Sequence, residues 1–146
     1  MTFQLVRGSL EARAMADLRA AGIAPDHCYF DNVGETPGGT KEPYAVVSIS
    51  FTDIHQDTIY CEGLEDLRGS IQCNVYTPRN EGSKPGEDIC LKVLQGWCAI
   101  NKWKALPTDE LKQMSIRNME GPITLAPDTR PHAVHVVSAS WVARVA

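Results

Sequence analysis

The chain has 146 residues, 43% of them hydrophobic and 22% charged, with a formal net charge of −4. This is the size of one domain, able to bury roughly 70% of its unfolded surface without a metal or disulfide staple, and its composition argues against disorder as the main state. Lysines and arginines are scattered along the sequence rather than clustered, which disfavours tight binding of duplex DNA or RNA, because a phosphate backbone calls for a basic patch.

The first expected element is a helix over Phe3 to Ala21. Phe3, Val6, Leu10, Ala14 and Leu18 recur at helical spacing, Arg13 and Asp17 can pair one turn apart, and Gly22 suits a C-terminal stop. Gly8 weakens the start, so the firm part is expected from the N-cap Ser9, over 9–21. After Pro25 comes a short apolar run, His27 to Phe30, and then GETPGGTKEP, Gly34 to Pro43, whose three glycines and two prolines predict a loop. That loop is expected to be mobile in the free protein and ordered in an assembly.

Tyr44 to Thr52 predicts a strand, with Ala45, Val47, Ile49 and Phe51 sharing one face. A weaker strand is expected over Thr58 to Cys61, followed by the connector CEGLEDLRG. Ser70 to Thr77 predicts a second firm strand, with Ile71, Cys73 and Val75 pointing one way, and Pro78 ending it. Asn80 to Lys84 is read as a turn. The second helix follows over about 86–100, with Pro85 in its first turn, Glu87 and Asp88 complementing the dipole, and Ile89, Val93, Trp97 and Ile100 as its stripe. Two more strands are expected, around Gln113 to Met119 and over Ala133 to Val145. The last is apolar on both faces, as a strand interior to a sheet should be. The order predicts one α+β domain over residues 1–146: a mainly antiparallel, mixed sheet flanked by two principal helices.

The residues able to carry chemistry are the cysteines, histidines and acids. Cys28, Cys61, Cys73, Cys90 and Cys98 are odd in number and contain no CxxC, so reduced, metal-free thiols and synthesis in a reducing cytosol are expected. His132 and His135, three apart on a strand, would point to opposite faces. Cys90 and Cys98 would lie about 80° apart around a helix. Neither pair makes a chelate. PGGTKEP lacks the GxxxxGK(S/T) spacing and the helix that a phosphate cradle needs. A Cys–His site assembled from distant residues is the enzyme alternative. No catalytic residue, cofactor or metal site is assigned. The stretch MTFQLVRGSLEARAMADL is too charged for a signal peptide, and no run approaches the ~20 apolar residues of a membrane span. Glu62, Glu65 and Asp66, interleaved with Leu64 and Leu67 and followed by Arg68, form a charged connector. Its two leucines need a cover that a neighbouring subunit could supply, so these six residues are the candidate subunit contact.

RGSIQCNVYTPRNEGSKPGEDICLKVLQGW, Arg68 to Trp97, resembles the signature region of the phage tail terminator family: Gly69, the alternating strand of Ile71, Cys73 and Val75, then Tyr76–Thr77–Pro78, a turn with Gly82 and Gly86, and the helix Ile89 to Trp97. The flanking order agrees over nearly the whole chain. The resemblance implies a non-enzymatic virion protein, assembled in the host cytoplasm. Its copies, generally six, form a ring on the last ring of tail tube subunits, stop tube growth and meet the head-completion proteins. DNA passes only in transit, and an acidic wall would not hold it. A head–tail joining or neck protein is the structural alternative.

Overall fold

The computed structural model describes residues 3–30, 42–56, 65–78, 82–103, 106, 109–124 and 132–145. Its elements are α1 (Phe3–Ala20), a 3-10 turn at Pro25–His27, β1 (Cys28–Phe30), β2 (Tyr44–Gln56), β3 (Glu65–Pro78), α2 (Lys84–Ile100), β4 (Leu111–Thr124) and β5 (His132–Val145). The strands form one sheet in the order β1-β2-β3-β5-β4. β1 runs parallel to β2, and every other neighbouring pair is antiparallel. The chain is therefore α+β, with a mixed, mainly antiparallel sheet, and β5 lies inside it as its two apolar faces require.

Period-two alternation decides which face of the sheet is covered. Ala45, Val47 and Ile49 of β2, Leu67, Ile71, Cys73 and Val75 of β3, and Val137, Ala139, Trp141, Ala143 and Val145 of β5 are all buried on one side. Leu111, Met114 and Ile116 of β4 complete that layer. Both helices pack on it: α2 over β3, β5 and β4, and α1 beside α2 over β1 and β2. From α1 the contact is made by Val6, Leu10, Ala14 and Leu18, and from α2 by Ile89, Cys90, Val93, Trp97 and Ile100.

The helices approach closely where Asp17 meets Gly96, at which a Cβ would overlap the carboxylate. Asp17 is 8% exposed and accepts an ion pair from Arg13 at 3.1 Å. Burial raises its pKa, an effect the Arg13 charge and hydrogen bond partly oppose.

Several boundaries differ from those expected of the sequence. α1 begins at Phe3 rather than at Ser9, and the Ser9 hydroxyl bonds back to the Leu5 carbonyl at 2.9 Å instead of capping. Burial of Val6 and Leu10 on either side of Gly8 outweighs that residue's low propensity. β2 runs on to Gln56 because a bulge between Phe51 and Asp53 shifts the register without breaking the pairing. β3 starts at Glu65, so Glu65, Asp66, Leu67 and Arg68 are strand, not connector. β4 runs to Thr124 through further register shifts between Arg117 and Glu120 and between Glu120 and Ile123, with Asn118 at φ 54°. Most of the expected loop Gly34 to Pro43, the weaker strand over 58–61 and the first two residues of the turn before α2, Asn80 and Glu81, lie outside the described residues.

Candidate assembly surface

Among the described residues, most of the groups that could do chemistry are held apart or buried. Cys28, Cys73 and Cys90 are buried, and burial is the first cause of the rise in each thiol's pKa, to about 11 for Cys28 and Cys90 and well above the usual range for Cys73. His135 is fully buried against Gly86 of α2; its Nδ1 meets the Thr124 hydroxyl at 3.0 Å, and its Nε2 has no partner among the described residues. His27 faces Glu42 at 3.2 Å. Among the described residues no cysteine is hydrogen-bonded to a histidine, and no group of three or more His, Cys, Asp or Glu could hold a metal. Cys98 is exposed, 3.9 Å from the Met119 sulfur. Thiol labelling of the folded protein near neutral pH, read by peptide mass, is expected to modify Cys98 while Cys28, Cys73 and Cys90 react only after denaturation. Labelling of Cys73 as fast as Cys98 would contradict its seat in the core.

What remains is surface. The face of the sheet away from the helices divides along the strands into three bands. At one end Tyr44 and Tyr76 stack with ring centroids 4.4 Å apart, Tyr29 meets Tyr44 edge-on at 6.0 Å, and Val134 continues the row. The middle is small and polar, with Ser48, Ser50, Ser70, Gln72, Ser138 and Ser140; the Ser50 and Ser70 hydroxyls are 2.6 Å apart. The other end is charged. A cleft of about 290 Å³ there is bounded by Asp66, Arg68, Arg117 and Arg144. Asp66 grips Arg144 through two hydrogen bonds, at 2.8 and 3.4 Å, whereas Arg68 and Arg117 make no ion pair among the described residues.

The six residues read from sequence as a subunit contact are thereby separated. Leu67 is 0% exposed, paired in register with Ile54 and Ala143, so the monomer's own core covers it and no neighbour is needed. This corrects its assignment to a surface contact. Asp66 and Arg68 lie on the open face at the cleft, Glu65 begins β3, and Glu62 and Leu64 lie outside the described residues.

The sheet's two edges carry features that the residue order does not announce. On the β2 side, β1 pairs with Ala45 to Val47 alone, and beyond it the Arg7 guanidinium donates to the Ile49 carbonyl at 3.0 Å. Beside it stand Phe3 and Ile54, 45% and 42% exposed, with the Phe3 ring edge-on to Phe51 at 4.9 Å, and the exposed Asp53. On the β4 side, the Asn101 side chain accepts from the Ile116 N–H at 2.7 Å and donates to its carbonyl at 3.0 Å. One amide thus satisfies the outward backbone pair and blunts the edge. A groove of about 450 Å³ lies there between Trp103 and Leu106 on one side and Met114 to Arg117 on the other. The break in alternation after Phe51 is the one local signal for the first edge. The second has none.

No family model matches this sequence, and no curated protein matches it. Solved structures do. A chain known only by a sequence identifier is 18% identical with TM-score 0.60, the match covering 100% of this chain and 96% of that one. A chain of a structure described as the virion of a native gene transfer agent particle is 15% identical with TM-score 0.58, over 99% of this chain and 98% of that one.

Proposed function

We propose that this chain is a structural protein of a phage or phage-like virion, which assembles as a ring on the head-proximal end of the tail tube, stops its growth and presents the surface to which the head attaches. The observation that carries the reading is the likeness to a gene transfer agent virion chain over 99% of this chain and 98% of that one. The tail-terminator-like pattern from Gly69 through Tyr76–Thr77–Pro78 to the α2 stripe supports the finer assignment; Gly69 to Pro78 lie in β3 and Ile89 to Trp97 in α2, while Gly86, read as part of the turn, lies within α2.

The physical logic concerns how a tube stops. A tube end exposes a ring of unsatisfied subunit interface and goes on recruiting identical subunits until something different covers it. A ring that matches that interface on one face only ends the growth. Such a protein needs edges and faces rather than an active site. The buried thiols, the enclosed His135 and the sheet face of serines, arginines and tyrosines agree with that. Among the described residues no helix is long and apolar enough to cross a membrane.

Electron microscopy of an infection lacking the gene tests the proposal. The expected result is tails of abnormal and variable length that fail to join heads. Tails of normal length that lie unattached beside full heads would favour a joining or neck protein instead. Normal tails joined to full heads would exclude both.

A further inference from the structure

Copies of one chain arranged in a ring must meet through two different surfaces, because a rotation other than a half-turn brings one side of a subunit against the opposite side of the next. The two surfaces therefore have to be complementary in shape and charge, and level with each other. The sheet's two edges satisfy all three conditions.

Direction comes first. β3 is antiparallel to β2 and to β5, and β5 is antiparallel to β4. β2 and β4 thus run in opposite senses, and setting β4 of one copy beside β2 of the next continues the antiparallel alternation across the junction. Level comes next. Reading the register across the sheet, Ile54 shares a row with Leu67, Ala143 and Met114, and Asp53 shares the next with Arg68, Val142 and Ser115. Ile54 therefore stands at the height of Met114 in the β4-edge groove, and Asp53 at the height of Ser115, two residues along β4 from Arg117 and within the reach of that long side chain.

Chemistry then sorts the two sides. On the helix side of the sheet, the β2 edge offers protruding apolar groups, Phe3 and Ile54, and the β4 edge offers an open groove of mixed lining in which Trp103 and Leu106 stand beside Asn101, Gln113 and Ser115. Two of the five large hydrophobic residues most exposed among the described residues are accounted for in this way. On the open side, the β2 edge carries Asp53 and the β4 edge Arg117, both exposed and without an ion pair among the described residues. Backbone strand addition is blocked, because Asn101 occupies the outward groups of Ile116 and register shifts follow directly after Arg117. The contact must be made by side chains, which suits a long cation facing a carboxylate beside the Trp103 and Leu106 side chains.

We propose that the β2 edge of each copy docks into the β4-edge groove of the next, with Ile54 and Phe3 seated against Trp103 and Leu106 and Asp53 paired with Arg117. The occupant is a second copy of this chain, and the inference rests on the ring reading above. It gives that ring its lateral contact and turns the serine-rich sheet face to a common side of the assembly.

The mass of the purified chain in solution, measured over a concentration series, tests this together with three variants: Ile54→Asp, Arg117→Glu, and Asp53→Arg combined with Arg117→Glu. The wild type is expected to self-associate. Each single variant should weaken association by about tenfold or more, since facing like charges or a buried carboxylate oppose contact, and the charge-swapped double variant should recover most of the loss. All altered side chains are exposed, so the circular dichroism and Tm of the monomer should not change. A wild-type oligomer that Ile54→Asp and Arg117→Glu leave intact would overturn this contact and spare the ring. So would two weakened singles with no recovery in the double. A wild type that stays monomeric throughout would overturn both.

Discussion

Replacing Leu67 by serine should bring the monomer to the edge of unfolding. Leu67 is 0% exposed in β3, between Ile54 on β2 and Ala143 on β5, and it belongs to the core beneath the helices. Truncating a buried leucine to alanine costs about 2–5 kcal/mol, through lost transfer energy and the cavity left behind. A hydroxyl placed there without a partner adds about 1–3 kcal/mol. Against a total stability of about 5–15 kcal/mol, this is a large fraction. Urea denaturation should show a midpoint far below that of the wild type, with alanine intermediate. A variant that keeps the wild-type midpoint yet loses self-association would restore Leu67 to the surface role suggested by its charged neighbours in sequence.

Gly69→Ala is expected to be nearly as damaging, for the opposite reason. Gly69 pairs with Phe51 on one side and Trp141 on the other. Trp141 is fully buried, donates its indole N–H to the Ser70 carbonyl at 3.1 Å and meets Phe51 edge-on at 5.1 Å. A Cβ at position 69 would overlap the Ser50 carbonyl oxygen and lie 2.5 Å from the Trp141 ring. The carbonyl belongs to a paired strand, and the ring is fixed by its own hydrogen bond, so neither can give way cheaply. Overpacking usually costs about 1–3 kcal/mol; a clash with backbone as well as ring belongs at the top of that range, a fall in Tm of about 10 °C. Calorimetry of the alanine variant checks it, and an unchanged Tm would mean that the indole does not lie over Gly69. The same geometry explains why a glycine opens the Gly69 to Trp97 pattern: the position lies under a tryptophan from a strand more than seventy residues away.

Elements with a full hydrophobic period are legible in the residue order alone. The α2 stripe, the alternation of β2 and β3, and the two-faced β5 each appear where their side chains demand, because periods of 3.6 and two residues are properties of the local chain. Where the local pattern breaks, tertiary pairing decides. The bulge after Phe51 moves Ile54, not Asp53, to the side of Leu67, so β2 continues past the point at which alternation fails. β1 has only three residues and exists by pairing with Ala45 to Val47. The connector residues Glu65 to Arg68 become strand because both neighbours, β2 and β5, extend far enough to pair with them.

The same division holds for the assembly surface. The absence of a chelate spacing or phosphate loop can be read from residue order, since those motifs are local. The edge contact cannot. It depends on Asn101 reaching across to Ile116 and on Ile54 sharing a row with Met114 through two intervening strands. Sequence determines which residues are apolar or charged and how they alternate along each element. Only the order of strands in the sheet determines which of them reach an edge, because that order is set by pairings between segments far apart in the chain.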